Sequence, residues 1–279
     1  MTPRPNHRPK HTASRARRAC VALALSVPLT VPVTAAGAQG GQQCAQAGFR
    51  DPGVRYPDAK YDGRYTFVRI AYTEAFSARG GGGGGREPFW HHDYPDADQH
   101  LTRLTTELTS IKGQNGKSVI MTLDNPELAK FPVAYLVEAG HWVPSDAEAL
   151  GLRNYLKKGG FLIFDDLSDR GNDWGNLEYQ MNRVLPGMRP IELPIDHPIF
   201  DSFYRVKSLN YYHPYYCYKS SFWGIFVEND PKKRMMAVVN YNNDIGEAWE
   251  WSDVGYYSVD VSNEAYKLGI NYIIYAMTR

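Results

Sequence analysis

The sequence predicts an α/β fold with a mostly parallel central sheet and helices on both of its faces. Three observations predict it. Strand-like and helix-like segments alternate through the first half of the chain, which is the order of βαβ units. One short strand candidate, FLIF at 161–164, is apolar at every position, as in strands that are covered on both faces. Two helix candidates also begin with capping-box patterns, which fixes where strands give way to helices.

The first strand is predicted at 66–72 (TFVRIAY), where β-branched and aromatic residues dominate. Six consecutive glycines follow at 80–85. They lack the GK[ST] ending of a phosphate-binding loop, so we interpret them as a flexible insertion, with a lid as the alternative. The first helix is predicted to open at Asp96, with Gln99 as its capping-box partner and leucines spaced three and four residues apart along one side.

Two more strands are predicted at 118–123 and 133–138. The second helix is predicted to begin at Ser145, with Glu148 completing a capping box, and to stop at the glycine pair 159–160. The apolar strand 161–164 comes next. Together these segments supply the parallel part of the predicted sheet.

The second half of the chain is less regular. A helix is predicted at 176–184, two strands at 221–227 and 235–241, and a closing helix at 263–276. No internal repeat is visible. We therefore predict a single α/β domain spanning 64–279.

The N-terminus has the pattern of a secretory signal peptide. Residues 1–38 hold six basic residues and no acidic one, and an apolar run at 19–36 is followed by an A-x-A site ending at Ala38. Prolines interrupt the apolar run, which disfavours a membrane anchor, whereas the pair Arg17-Arg18 leaves twin-arginine export open. We expect cleavage near Ala38, a leader at 39–63, no transmembrane segment after cleavage, and a periplasmic or secreted protein.

Composition excludes several classes of function. Beyond residue 38 the chain carries 25 basic and 30 acidic residues, a net charge of −5, which disfavours nucleic-acid binding because phosphate contacts need a clustered basic surface. Only Cys44 and Cys217 remain after cleavage, and one disulfide between them is left open. Neither cysteine has the sequence context of a catalytic thiol.

Ligands of parallel sheets bind beyond the carboxyl ends of the strands, where the connecting loops gather. Three of the predicted loops are rich in polar and aromatic residues, and we expect them to converge on one crevice. The candidate crevice residues are Trp90, His92, Asp93, Glu138, His141, Trp142, Asp165 and Asp166.

Each candidate has an alternative interpretation. The run His91-His92-Asp93 has metal-binding residue types, but a surface loop is favoured and no metal or other cofactor is assigned. Glu138 and Asp165 either form an acid/base pair of the glycosidase kind or bind helix ends and loop amides. The pair His141-Trp142 either stacks on a ligand or closes the end of the sheet.

Two further segments have compositions that could indicate a binding role. Nine aromatic residues lie within 203–223, and they either form a surface for a saccharide or a partner, or cover the sheet. The oxygen-rich run 240–244 lacks the twelve-residue calcium-loop pattern, so we interpret it as a plain turn.

Several motifs together resemble the bacterial domain of unknown function 4159 family, from about residue 64 to the end of the chain. The motifs are WHHDYPDAD (90–98), YLVEAGHW (135–142), LRNYLKKGGFLIFDD (152–166), HPIF (197–200) and LGINYIIYAM (268–277). That family is similar to the class I glutamine amidotransferase-like superfamily, which implies a flavodoxin-like three-layer sandwich. Where the glutaminases of that superfamily carry a cysteine nucleophile, this chain has Asp165-Asp166, so the resemblance speaks against glutamine hydrolysis. It supplies no catalytic residues.

The leading hypothesis is an exported, non-catalytic binding module whose crevice recognises a small molecule, a saccharide or an envelope protein. One alternative is a hydrolase of glycans or similar polar substrates, with Glu138, Asp165 or Asp166 as acid or base. The other is a structural component of envelope assembly whose tyrosine-rich face docks a partner.

Overall fold

The computed structural model describes residues 61–74, 88–169, 171–210 and 218–279. The predicted signal peptide, nearly all of the predicted leader, the glycine run and both Cys44 and Cys217 lie outside the described residues. Export, cleavage and the disulfide therefore stay predictions.

The described residues form one seven-stranded sheet, in the order β2-β1-β3-β4-β7-β6-β5. Its strands are β1 (Tyr65–Ile70), β2 (Gly113–Met121), β3 (Val133–Val137), β4 (Phe161–Leu167), β5 (Ile191–Glu192), β6 (Ser221–Phe226) and β7 (Met235–Tyr241). The pairs β1–β2, β1–β3, β3–β4 and β4–β7 are parallel, whereas β6 pairs antiparallel with β7 and with β5. The predicted mostly parallel sheet is confirmed, with an antiparallel edge that the sequence did not predict.

Helices cover both faces of this sheet. The helices are α1 (Asp96–Leu108), α2 (Asp146–Lys157), α3 (Asp173–Val184), α4 (Ile245–Glu250) and α5 (Val259–Thr278). Successive side chains of a strand point to opposite faces, and in β4 Leu162 and Phe164 join one apolar cluster while Phe161 and Ile163 join another. Residues of α2 and α3 belong to the first cluster and residues of α1, α4 and α5 to the second, which makes three layers.

The two predicted capping boxes had different outcomes. In α2 the Ser145 hydroxyl accepts from the Glu148 amide at 3.2 Å and the Glu148 carboxylate accepts from the Ser145 amide at 2.8 Å, as predicted. In α1 the prediction was wrong, because the helix begins at Asp96 itself and Pro95 is the cap, with no side-chain hydrogen bond. The Asp96 carboxylate thus lies in the first turn, where it can favour the helix dipole but cannot cap.

Element boundaries differ from the predictions mainly at the N-terminal ends. The strand predicted at 118–123 begins at Gly113, and the closing helix begins at Val259. The apolar strand β4 continues through Asp165 and Asp166 to Leu167, so both acids lie within the strand rather than after it. Among the described residues, none of the helices combines the length and apolar character needed to cross a bilayer.

Candidate functional site

The carboxyl ends of β1, β3, β4 and β7 meet at one edge of the sheet, because these strands are parallel. Four non-glycine residues at or after these ends have left-handed backbone: Asp93 (φ 63°), Glu138 (φ 55°), Asp166 (φ 53°) and Asn242 (φ 53°). Each such conformation costs on the order of 1 kcal/mol or more, and this kind of strain concentrates at functional sites. The chain is held in unfavourable conformations where its polar side chains converge.

His92 lies at the centre of a group of acidic residues. Its Nδ1 is 3.3 Å from an Asp166 oxygen, 3.7 Å from an Asp93 oxygen and 4.0 Å from a Glu138 oxygen. The His92 side chain is 43% exposed, whereas the side chains of Asp93 and Asp166 are buried. The imidazole is therefore the accessible part of an otherwise enclosed group.

Asp244 completes what we call the strand-end cluster: His92, Asp93, Glu138, Asp166 and Asp244. One potential metal-ligand atom on each of His92, Asp166 and Asp244 lies within 4.8 Å of the other two. Asp244 also caps α4, since its Oδ1 accepts from the Glu247 amide at 2.9 Å. These three residues could therefore hold a metal ion.

The charges of the cluster perturb one another. The hydrogen bond to Asp166, with the charges of the neighbouring acids, outweighs burial and raises the pKa of His92 to about 10. Burial, together with the charge of Asp166, raises the pKa of Glu138 to about 9. Burial likewise raises the pKa of Asp93 and of Asp244 well above the ordinary range, and nearby acids add to the effect.

The cluster is poor in hydrogen-bond donors. Both carboxylate oxygens of Asp93 and the Oδ2 atom of Asp244 are buried and accept no hydrogen bond. Buried polar atoms without a partner are uncommon in folded proteins, and each one calls for an explanation. Here the arrangement favours a bound group that brings positive charge or donors.

Asp165 has a different role from its neighbour Asp166. It is fully buried and accepts hydrogen bonds from the Tyr135 hydroxyl (2.8 Å), the Asn240 amide (2.9 Å) and the backbone amides of Ile245 (3.1 Å) and Gly246 (2.9 Å). Burial raises its pKa to about 6 despite these donors. Adjacent strand residues point to opposite faces, so Asp165 anchors the start of α4 while Asp166 faces His92.

The two tryptophans lie in the core. Trp142 is fully buried, and the centroid of its ring lies 5.6 Å from that of Phe164. Trp90 is also buried. Of the two interpretations offered for Trp142, the structure favours closing the end of the sheet. His141 is different, because its side chain is partly exposed. Its ring stacks on that of Phe89 with the ring centroids 3.6 Å apart, and its Nε2 lies 3.7 Å from a Glu138 oxygen.

Sequence reasoning missed Asp244, which we interpreted as part of a plain turn. The signal was present, because the turn directly follows a predicted strand, as the other candidate residues do. Sequence reasoning also did not identify the ion pair of Arg69 and Asp98, whose side chains are fully buried and 2.5 Å apart.

The aromatic segment divides between core and surface in its described part. Phe222 is buried, whereas Phe203 and Tyr218 are exposed. The ring centroids of Trp223 and Trp174 lie 4.8 Å apart. Tyr211 to Tyr216 lie outside the described residues. The two interpretations of this segment both stay open.

None of the curated proteins compared with this chain matches it. The family described as a domain of unknown function (DUF4159) matches residues 66–277, from the first strand to the last helix and across every residue of the strand-end cluster. The chain therefore belongs to the DUF4159 family.

Proposed function

We propose that the protein is a binding module whose ligand contacts His92, Glu138 and His141 at the carboxyl-end edge of the sheet. The observation that carries the proposal is an accessible imidazole within 4.0 Å of carboxyl groups from three separate parts of the chain. Open parallel sheets bind their ligands at this edge. Glu138 and His141, both partly exposed, extend the accessible surface beyond His92.

The chemistry of the cluster favours a hydroxyl-rich ligand such as a saccharide. The cluster offers one imidazole and four carboxyl groups, so it has little positive charge with which to hold an anionic ligand. The side chains of His92, Glu138 and His141 are partly exposed and can exchange hydrogen bonds with hydroxyl groups, which add no negative charge.

Binding is favoured over hydrolysis by a pair of Glu138 and Asp165, because Asp165 is committed to four donors from its surroundings. An acid/base pair of Glu138 and Asp165 would require Asp165 to face the ligand and exchange protons with it. The envelope-assembly alternative depends on the tyrosine-rich segment, much of which lies outside the described residues.

The finer fold assignment and the location belong to the same proposal. Counted along the chain, the five parallel strands have the spatial order 2-1-3-4-5, which supports a flavodoxin-like sandwich and the glutamine amidotransferase-like relationship. The basic, apolar and A-x-A regions at the N-terminus support export to the periplasm or medium.

A thermal-shift screen of the full chain against neutral oligosaccharides tests the function. We expect at least one saccharide class to raise the melting temperature, since a ligand that binds only the folded state stabilises it. Glu138→Gln should reduce this shift, whereas Glu178→Gln, a matched change on the exposed side of α3, should retain it. Absence of any shift, or equal shifts in both variants, would contradict the proposal.

A further inference from the structure

We propose that His92, Asp166 and Asp244 form a binding site for one divalent transition-metal ion. This inference does not rest on the proposed saccharide ligand, because the ion is expected to bind the protein alone.

The spacing of the three side chains fits such an ion. A metal bound by imidazole nitrogen and carboxylate oxygen at about 2.1 Å holds its ligand atoms about 3–4 Å apart. His92 Nδ1 and Asp166 Oδ2 are separated by 3.3 Å, and one ligand atom from each of the three residues lies within 4.8 Å of the others. Small side-chain movements would bring all three to coordination distance.

Acidic residues near one another do not by themselves make a metal site, and a second observation supports this one. Asp244 is 1% exposed, its Oδ1 is fixed by the amide of Glu247, and its Oδ2 is buried without a hydrogen-bond donor. Its carboxylate is therefore held in place with one acceptor unsatisfied at the site. Asp93 adds two more buried oxygens without donors, one of them 3.7 Å from His92 Nδ1.

The electrostatics of the cluster point the same way. Four carboxyl groups surround a single imidazole, so the positive charge within the cluster is small compared with the negative charge available. Three carboxylate oxygens of Asp93 and Asp244 are buried without a hydrogen-bond donor, so the cluster presents unsatisfied acceptors to a cation. A divalent ion supplies that charge inside the protein.

The donor set selects the type of metal. Calcium and magnesium prefer oxygen ligands alone, whereas one imidazole with two carboxylates suits zinc, iron or manganese. His92 is also the exposed member of the set, so the ion would keep coordination positions on the solvent side. Such an open site is typical of metals that bind an exchangeable ligand rather than of purely structural ones.

Calorimetric titration of the chelator-treated full chain with Zn²⁺ alone and with Mn²⁺ alone tests the site. We expect one tight equivalent per chain, with Mg²⁺ and Ca²⁺ binding more weakly. Asp244→Asn keeps an oxygen to cap α4 and should weaken binding at least tenfold. His92→Gln changes a partly exposed side chain, so it should fold normally and weaken binding comparably.

Asp253→Asn is the matched control for Asp244→Asn. Asp253 is exposed and lies 3.8 Å from His100, in a second histidine–carboxylate pair outside the cluster. This variant should bind both metals like the wild type. The proposal is overturned if the wild type takes up neither ion, or if the Asp244 and His92 variants bind as tightly as the Asp253 control while circular dichroism shows all of them folded.

Discussion

Two groups of charged residues lie side by side in this protein, and they differ in how completely their hydrogen-bonding atoms and charges are paired. Arg69 in β1 and Asp98 in α1 are fully buried, with their charges cancelled across 2.5 Å, and Arg69 also donates to the carbonyl oxygens of Trp90 and His92. The strand-end cluster has excess acid and several oxygens without donors. Complete satisfaction indicates a structural role, whereas incomplete satisfaction leaves capacity for a ligand.

The two groups are also connected. Arg69 Nη1 donates to the His92 carbonyl at 2.7 Å, so the closed pair holds the loop that carries the central residue of the open cluster. The stable part of this edge thereby positions the part that is available for binding.

The largest effect is expected from Arg69→Met, which leaves Asp98 buried without its partner. Breaking a buried ion pair on one side costs about 3–5 kcal/mol, and urea unfolding should show a loss of that size. Arg64→Met is the control, since Arg64 pairs with Asp62 on the surface, where such pairs contribute about 0–1 kcal/mol. Equal losses in the two variants would remove the structural role assigned to the buried pair.

A smaller loss is expected from Asp165→Asn, which tests whether this acid belongs with the closed pair or with the open cluster. Asparagine has one acceptor oxygen for four donors, and buried donors left unsatisfied cost about 1–3 kcal/mol. Stability should fall while Zn²⁺ affinity stays within a few-fold of the wild type. A large loss of zinc affinity in a variant of unchanged stability would move Asp165 into the cluster.

The opposite behaviour is expected from Asp93→Asn. The change removes a buried carboxyl group whose two oxygens have no donors and whose ionised form is disfavoured by burial. Stability without metal should stay unchanged or rise by about 1 kcal/mol, because a buried acceptor without a donor is removed. A loss as large as that of Asp165→Asn would show that Asp93 is as fully committed to the fold as Asp165, and the contrast between the two acids would disappear.

Local patterns predicted much of the fold. The capping box at Ser145, the apolar strand 161–164 and the alternation of strands with helices each depend on residues close together in the sequence. The parallel order then placed Glu138, His92 and Asp166 at one edge. The same rule did not predict that Asp165 and Asp166 have different partners, because the partners depend on which face of β4 each side chain occupies.

The remaining features arise from contacts between distant parts of the chain. Arg69 and Asp98 are 29 positions apart, and a lone arginine in a strand carries no mark of its partner. Asp244 lies near His92 only because β7 pairs with β4. The antiparallel strand β6 lies between β4 and β7 in the sequence, and no local sequence pattern predicts this arrangement. Unsatisfied oxygens are likewise a property of three-dimensional packing.

The smallest effect is expected from His197, which lies outside both groups and shows how burial affects a histidine away from the acidic cluster. Burial, aided by the charge of Arg279, lowers the pKa of His197 below its usual value, whereas acids raise that of His92. His197 Nδ1 accepts from the Ile199 amide at 3.3 Å, a role that needs the neutral ring. As the pH falls below about 6.5, the unfolded chain takes up this proton first, so the folded state loses stability.

His197→Asn keeps an acceptor for that amide but does not titrate. Unfolding measured between pH 7 and pH 5 should therefore show a slightly shallower loss in the variant, by a few tenths of a kcal/mol, because the half-buried ring is screened by solvent. A steeper loss in the variant would mean that His197 gains charge-stabilising partners on folding, and burial alone would no longer distinguish it from His92.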